Sequence, residues 1–385
     1  MALSFRYLIG GAEQRVAPGS FLWESPLPMD RHHFQKDGNG VCDRTGFTHG
    51  DYFLAARRFF EEAPSVIFAP ESCQTPTDVD ICLMKHGAYY HPSKITVTGK
   101  GQRKSFVLNV AVSDSGHRII DREIVTLKRL GGLPGPSFIP EVYGQGSVPV
   151  NGGLEVRMFL GEWFDGYHEF HLSERHPQGV NVWGERDVPT PLSREAAYLL
   201  YHQAAGILTR YYNPVTTEHV SRWHHAAGDF VVRCRNNGVD VRLITVRHYS
   251  PLLKMQDAPE GSPAQIEQAL AGLLLFLIGL SILMRLDRLE GIGDTGWADE
   301  TAILGTWSGF LEGLASSCFP AAFLPDPVRQ FERHLATYCL EDVRELSNNM
   351  AASLPVRAAE KEMIKKCLPS HIEVLLETIS RIGFQ

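Results

Sequence analysis

The 385-residue sequence contains no C-x-x-C pair, and its seven cysteines (Cys42, Cys73, Cys82, Cys234, Cys318, Cys339 and Cys367) are odd in number and scattered. That excludes a zinc ribbon and a disulfide framework, and it reads as reduced thiols in a cytoplasmic protein. Dense Lys/Arg runs are missing too. With 37 basic against 44 acidic residues, the chain lacks the footprint of a nucleic-acid binder held by counterion release. It also lacks a basic patch for anionic lipid. There is no internal repeat and no low-complexity tract. The first residues, MALSFRYLIGGAEQRVAPGS, run quickly into glycines and lack the long apolar region of a signal peptide. The most apolar stretch, Ala269 to Met284, falls short of the roughly 20 residues that span a bilayer, and it predicts a buried core helix and no membrane span.

What is present builds a core. Hydrophobic residues make up 44% of the chain, aromatic residues 10% and charged residues 21%, which excludes global disorder. The length exceeds the roughly 100–200 residues of one domain, so two packed units, or a two-lobed unit with an extension, is the starting expectation.

The first 50 residues show no sustained period, and a helix is predicted from Asp51 to about Ala63, followed by a Pro/Ser/Thr-rich link. From Lys94 the texture turns to strands: KITVT, a Gly99-Lys100-Gly101 turn, then SFVLNVAV. A charged helix follows at about Gly116 to Leu130, and two further strands, IPEVYGQGSV and LEVRMFL. The second half is mainly helical. Ser193 caps a helix to about Asn213, and Ser262, Pro263 and Gln265 open another that runs to about Leu289. Between them lies a hairpin, FVVRCR and VDVRLITV, turned at Asn236-Asn237-Gly238. Helices are also expected to open at Asp326-Pro327 and at Ser370 with Glu373.

From Lys94 to about Glu312 the chain resembles the kinase-like fold of aminoglycoside phosphotransferases and lipopolysaccharide kinases. The resemblance implies an α+β, two-lobed protein-kinase-like fold with an antiparallel β-rich N-lobe (76–160) and a mainly helical C-lobe (161–385). Residues 1–75 are then an extension of unknown role. In that family a strand lysine holds nucleotide phosphates and pairs with a helix glutamate. Here Val107-Leu108-Asn109-Val110 fits the strand with Asn109 in the lysine's place, and Glu123 fits the glutamate, although a solvated helix charge is its plainer reading. Gly161 and Glu162 stand at the adenine-binding connector. Ala227-Gly228-Asp229 matches the core of H-G-D-x-x-x-x-N, so the resemblance makes Asp229 the catalytic base, with a structural turn residue as the alternative.

Departures cluster on one function. Cys234 stands at the asparagine position and Thr245 at the acidic metal-ligand position, and both are poor partners for Mg²⁺. Gly99, Lys100 or Lys104 could meet phosphates in place of the lost lysine, and Arg247 adds a cation near the lost metal site. His224 and His225 could exchange protons near neutral pH or simply pack. His168, Glu169 and His171 lack the H-E-x-x-H spacing of a zinc site, and no metal ligand set is expected. The sequence therefore points to a pseudokinase, a binding or scaffold module that leaves room for ATP or another nucleotide without tightly held Mg²⁺, and for a protein partner. The alternative is an active ATP-dependent phosphotransferase on a small-molecule or glycan hydroxyl.

Overall fold

The computed structural model describes residues 3–10, 13–28, 46–62, 76–99, 101–150, 153–174, 179–184, 188–235, 238–256, 258–317 and 323–382. The protein is α+β, with a mixed sheet and several helices. It divides into two compact units, Met1–Gly132 with Pro140–Asp165, and Leu133–Ile139 with Gly166–Gln385.

The first unit is built on strands β1 (Ser4–Ile9), β2 (Gln14–Arg15), β3 (Asp78–Leu83), β4 (His91–Gly99), β5 (Gln102–Ala111), β6 (Val142–Pro149) and β7 (Glu155–Glu162). They form a seven-stranded sheet in the order β2-β1-β3-β4-β5-β7-β6. The sequence predicts an antiparallel sheet that starts after residue 75. In the structure β1 runs parallel to β3, with Leu8 beside Cys82, so the sheet is mixed and the first residues belong to this unit. Without β1, β3 would expose a row of unpaired backbone groups. A parallel partner reached through a long connection carries no hairpin signal, which is why the sequence does not show it.

One face of this sheet is covered by α2 (His49–Glu62) and the short α1 (Phe21–Glu24). A capping box starts α2: Asp51 Oδ2 accepts from Thr48 N at 2.9 Å, and Thr48 Oγ1 accepts from Asp51 N at 3.1 Å. Tyr52, Phe53, Ala56 and Phe60 then pack with Tyr7, Trp23, Ile95, Phe106 and Leu108. The buried Tyr52 hydroxyl donates to the His91 carbonyl at 3.0 Å, which spares it the cost of an unpaired polar group. Helix α3 (Asp114–Gly131), capped by Ser113, packs against β5, β6 and β7.

The second unit begins with strands the sequence does not reveal, β8 (Phe170–Ser173), β9 (Gly179–Trp183) and β10 (Pro189–Pro191). Helix α4 (Arg194–Arg210) follows, then β11 (Glu218–Val220), the hairpin of β12 (Phe230–Arg235) and β13 (Gly238–Leu243), and β14 (Tyr249–Pro251), which pairs with β11. Asn236 and Asn237 lie outside the described residues. Helix α5 (Pro263–Arg285) is capped by Ser262 and ends earlier than its pattern suggests, because the chain turns into β15 (Leu286–Arg288), paired with β16 (Thr295–Trp297). By length and composition α5 could cross a membrane, yet 67% of its most apolar window is buried inside the protein, as in a core helix.

Helices α6 (Glu300–Ala315), α7 (Pro327–Leu335), α8 (Leu340–Ser353) and α9 (Ala358–Ile382) complete the unit. Helix α9 passes through Pro369 and starts twelve residues before Ser370, where the sequence predicts its opening. A proline removes one ladder donor but does not end a helix whose faces are well packed. Helix α6 contains Gly305, Gly309 and Gly313, and these glycines are its contact points with α4. A Cβ on Gly309 would lie 1.9 Å from the His202 carbonyl of α4, and one on Gly313 would lie 2.6 Å from the Gly206 carbonyl.

Gly309→Ala should therefore force α4 and α6 apart and lower stability by about 1–3 kcal/mol, the usual cost of overpacking. Urea denaturation checks this, with Gly131→Ala as the control, since a Cβ at Gly131 meets nothing within 4 Å. Equal stability of the two variants would contradict a close helix seam.

Candidate functional site

The segment between β11 and β12 is held by its own polar groups. His224 opens a single 3₁₀ turn, His225–Ala227, and its Nδ1 accepts from Ala226 N at 2.9 Å. Gly228 closes the turn in the left-handed region at φ 65°, which favours glycine. A side chain there would also collide with the Glu169 carboxylate, 2.5 Å from an added Cβ. Asp229 follows, 3% exposed. Its Oδ2 accepts from His224 N at 3.0 Å, its Oδ1 is paired with the Arg247 guanidinium, and its carbonyl accepts from Ile244 N at 2.9 Å.

Strand β12 starts at the very next residue. The five positions from Phe230 to Cys234 are all strand, and Cys234 sits opposite Val239, exposed, not in a catalytic loop. Cys234, which the resemblance sets in the asparagine's place, thus lies within a paired strand. Thr245 lies just beyond β13 and is buried.

His224 also reaches α9. With Nδ1 accepting, its ring proton resides on Nε2, which lies 3.3 Å from Glu360 Oε1. Glu360 is 2% exposed and accepts from both the backbone N and the Nε of Arg357, each at 2.8 Å. Burial alone would raise its pKa, but the His224 and Arg357 contacts outweigh burial and hold it down at about 2. No sequence signal links residues 224 and 360.

His225 is packed. Phe170, Tyr201, Trp223 and Phe230 surround its ring with centroids 5.2–6.0 Å away, and burial pushes it down to about 4, so it is neutral at physiological pH. His171 behaves oppositely. Burial disfavours its charged form, but Asp287 at 3.3 Å and Glu169 at 3.7 Å outweigh that and raise it to about 9. Asp287 Oδ2 also accepts from Leu172 N at 2.8 Å, which anchors β8. His168 pairs through its backbone with Val232. Among the described residues no group of three His, Cys, Asp or Glu side chains is placed to hold a metal ion. The donors at the expected Mg²⁺ position do not fit that ion: Asp229 is neutralised by Arg247, Cys234 is on a strand, and Thr245 offers no carboxylate.

The remaining sequence candidates lie in the first unit. Val107 and Asn109 are on β5, on the sheet face opposite α2, and Asn109 is buried across from Phe159 of β7. Glu123, on α3, is fully buried and so is not a solvated helix charge. Gly161 and Glu162 end β7. Glu162 N donates to the Glu141 carbonyl at 2.9 Å, so its N–H is already used within the sheet. Gly99 ends β4 opposite Gln102, and Lys100 lies outside the described residues. Lys104 holds its ammonium over the rings of Phe106 and Tyr143, 5.1 and 5.6 Å from their centroids.

Two titrations test this electrostatic arrangement. The Glu360 pKa is depressed on folding, so its contribution is full above the ordinary value of 4.5 and is lost as pH falls towards about 2. Allowing for solvent screening it amounts to roughly 1–2 kcal/mol. Glu360→Gln should lower stability by that amount at pH 7 and flatten the acid limb of the stability curve in that window. His171 has a raised pKa, so its contribution is full below 6.5 and fades as pH rises through about 9. Its ring should be an imidazolium at pH 7 by NMR; a neutral ring there would contradict the Asp287 and Glu169 contacts.

No protein-family model matches the chain, and no curated protein matches it. Among solved structures the chain is similar to that of "WaaP in complex with acyl carrier protein", at 11% sequence identity, over 67% of this chain and 85% of that one, with a TM-score of 0.24. A likeness of that size assigns neither fold nor activity to this chain.

Proposed function

We propose that the protein is a kinase-like pseudokinase that works as a binding or scaffold module and carries out no metal-assisted phosphoryl transfer. The observation that carries this reading is the pair of Asp229 with Arg247. Phosphoryl transfer in the family that the sequence resembles depends on carboxylate and amide oxygens holding Mg²⁺ against the triphosphate. Here the carboxylate is buried and bonded to a guanidinium. The positive charge is supplied by the chain itself, and a metal would have to displace it.

The loop geometry sharpens the assignment. The spacing D-x-x-x-x-N fits before β12 only if Asp229 is read in the asparagine's place, which puts His224 in the place of the catalytic aspartate. Both ring nitrogens of His224 have neighbours, Ala226 N at 2.9 Å and Glu360 at 3.3 Å, so a substrate hydroxyl would have to compete for them. The usual base and the usual metal ligand are then both taken up by internal contacts. Asn109 in place of the strand lysine agrees with this reading. A nucleotide, if bound, binds without needing Mg²⁺.

A thermal-shift titration with ATP, run with Mg²⁺ and with a chelator, tests the proposal. The expected result is little or no stabilisation, unchanged by the metal. Asp229→Asn should lower stability by about 1.5–3 kcal/mol through loss of a charge-assisted bond and leave any ATP response unaltered. Mg²⁺-dependent stabilisation by ATP, together with measurable phosphoryl transfer by the wild-type chain, would overturn the pseudokinase reading in favour of the transferase.

A further inference from the structure

The outer face of the β12–β13 hairpin carries a cluster that the kinase-like reading does not use. Side chains alternate across a strand, so Phe230 and Val232 turn one way while Val231, Arg233 and Arg235 turn the other. In the antiparallel register Arg233 stands opposite Asp240 and Val231 opposite Arg242, which puts Arg233, Arg235, Arg242 and Asp240 on one face. All three guanidinium groups converge on the one carboxylate. Arg233 and Arg235 reach Asp240 Oδ2 at 3.2 and 3.0 Å, and Arg242 reaches Oδ1 at 2.9 Å. Tyr167 completes the group, donating its hydroxyl to Asp240 Oδ2 at 2.7 Å. Its ring lies between two of the arginines, with their guanidinium carbons 4.5 Å (Arg233) and 5.6 Å (Arg242) from its centroid.

A single carboxylate would be satisfied by one bidentate arginine. Three arginines gathered on one carboxylate hold like charges together against their own repulsion. Aromatic stacking and a paired two-stranded scaffold fix the guanidinium planes, so little side-chain entropy remains to be lost when an acceptor arrives. The face is open at two of the arginines: the Arg235 side chain is 61% exposed and that of Arg233 37%. Arginine forks on a rigid, partly aromatic surface match a multiply charged oxyanion better than a lone carboxylate.

We propose that this face binds a phosphate-bearing ligand through Arg233 and Arg235, with Asp240 acting as the internal counter-ion that keeps the guanidinium groups together. Phosphate oxygens would take donors of these two arginines. The site lies wholly within the second unit and does not rest on the pseudokinase reading.

Calorimetric titration of the full chain with inorganic pyrophosphate tests it, alongside sedimentation with phosphatidylcholine vesicles with and without phosphatidic acid. Binding should weaken as salt rises, and Arg235→Gln and Arg233→Gln should each weaken it about tenfold. Asp240→Asn should strengthen it, because the competing negative charge is gone, whereas a purely structural cluster predicts only lost stability. Arginine-dependent binding of either probe supports the proposal, and the probe that binds distinguishes a soluble phosphate from a lipid headgroup. Arg235 is solvated, so its variant is expected to fold even where the others do not. Binding of neither probe, or binding unchanged in Arg235→Gln, would overturn the assignment.

Discussion

A buried carboxylate must be paired or it unfolds the segment that carries it, and Asp229 sets that condition for the second unit. It sits at the last residue before β12, 3% exposed, and three parts of the chain answer it: the Arg247 guanidinium beyond β13, the His224 backbone N–H at the start of the loop, and Ile244 N, which bonds the Asp229 carbonyl. One residue thereby ties the loop, the hairpin entry and the hairpin exit together. Both carboxylate oxygens are thereby paired inside the fold.

That constraint extends outward through His224. Its Nδ1 closes the 3₁₀ turn and its Nε2 faces the buried Glu360 carboxylate, which Arg357 holds from its own helix turn, so the loop meets the C-terminal helix at that carboxylate. Beneath it, α4 and α6 approach until glycines meet backbone carbonyls, a closeness that no side chain would permit. Close-packed helices transmit displacement because interiors have few voids. The loop is supported by Glu360 of α9 and by Tyr201 of α4, whose ring lies 6.0 Å from that of His225.

Local signals were legible wherever a residue type acts on its own neighbourhood. Ser193 and Ser262 cap the helices their positions announce, Ser113 caps α3, and the alternation in FVVRCR and VDVRL gives the hairpin register. The glycines of α6 and Pro369 of α9 are tolerated for one physical reason. Their intrinsic cost to a helix is about 1 kcal/mol for Gly and about 3 for Pro, and tertiary packing can outweigh it. The strands β8 to β10 are short and flanked by polar residues, so no period emerges from them. Glu123 shows what sequence alone leaves open: a glutamate among charged neighbours is compatible with a solvated face, and its place on the inner face of α3 buries it completely.

The amino-acid sequence by itself determined the α+β class and the order of most helices. These are properties of composition and short-range periodicity. Only the tertiary structure decided that β1 joins the sheet in parallel, that Asp229 meets Arg247, that His224 meets Glu360, and that three arginines gather on Asp240. Each of these depends on which backbone groups and charges lose water together. The energy of a buried pair lies in that shared desolvation, and partners such as residues 224 and 360 leave no mark on the sequence between them.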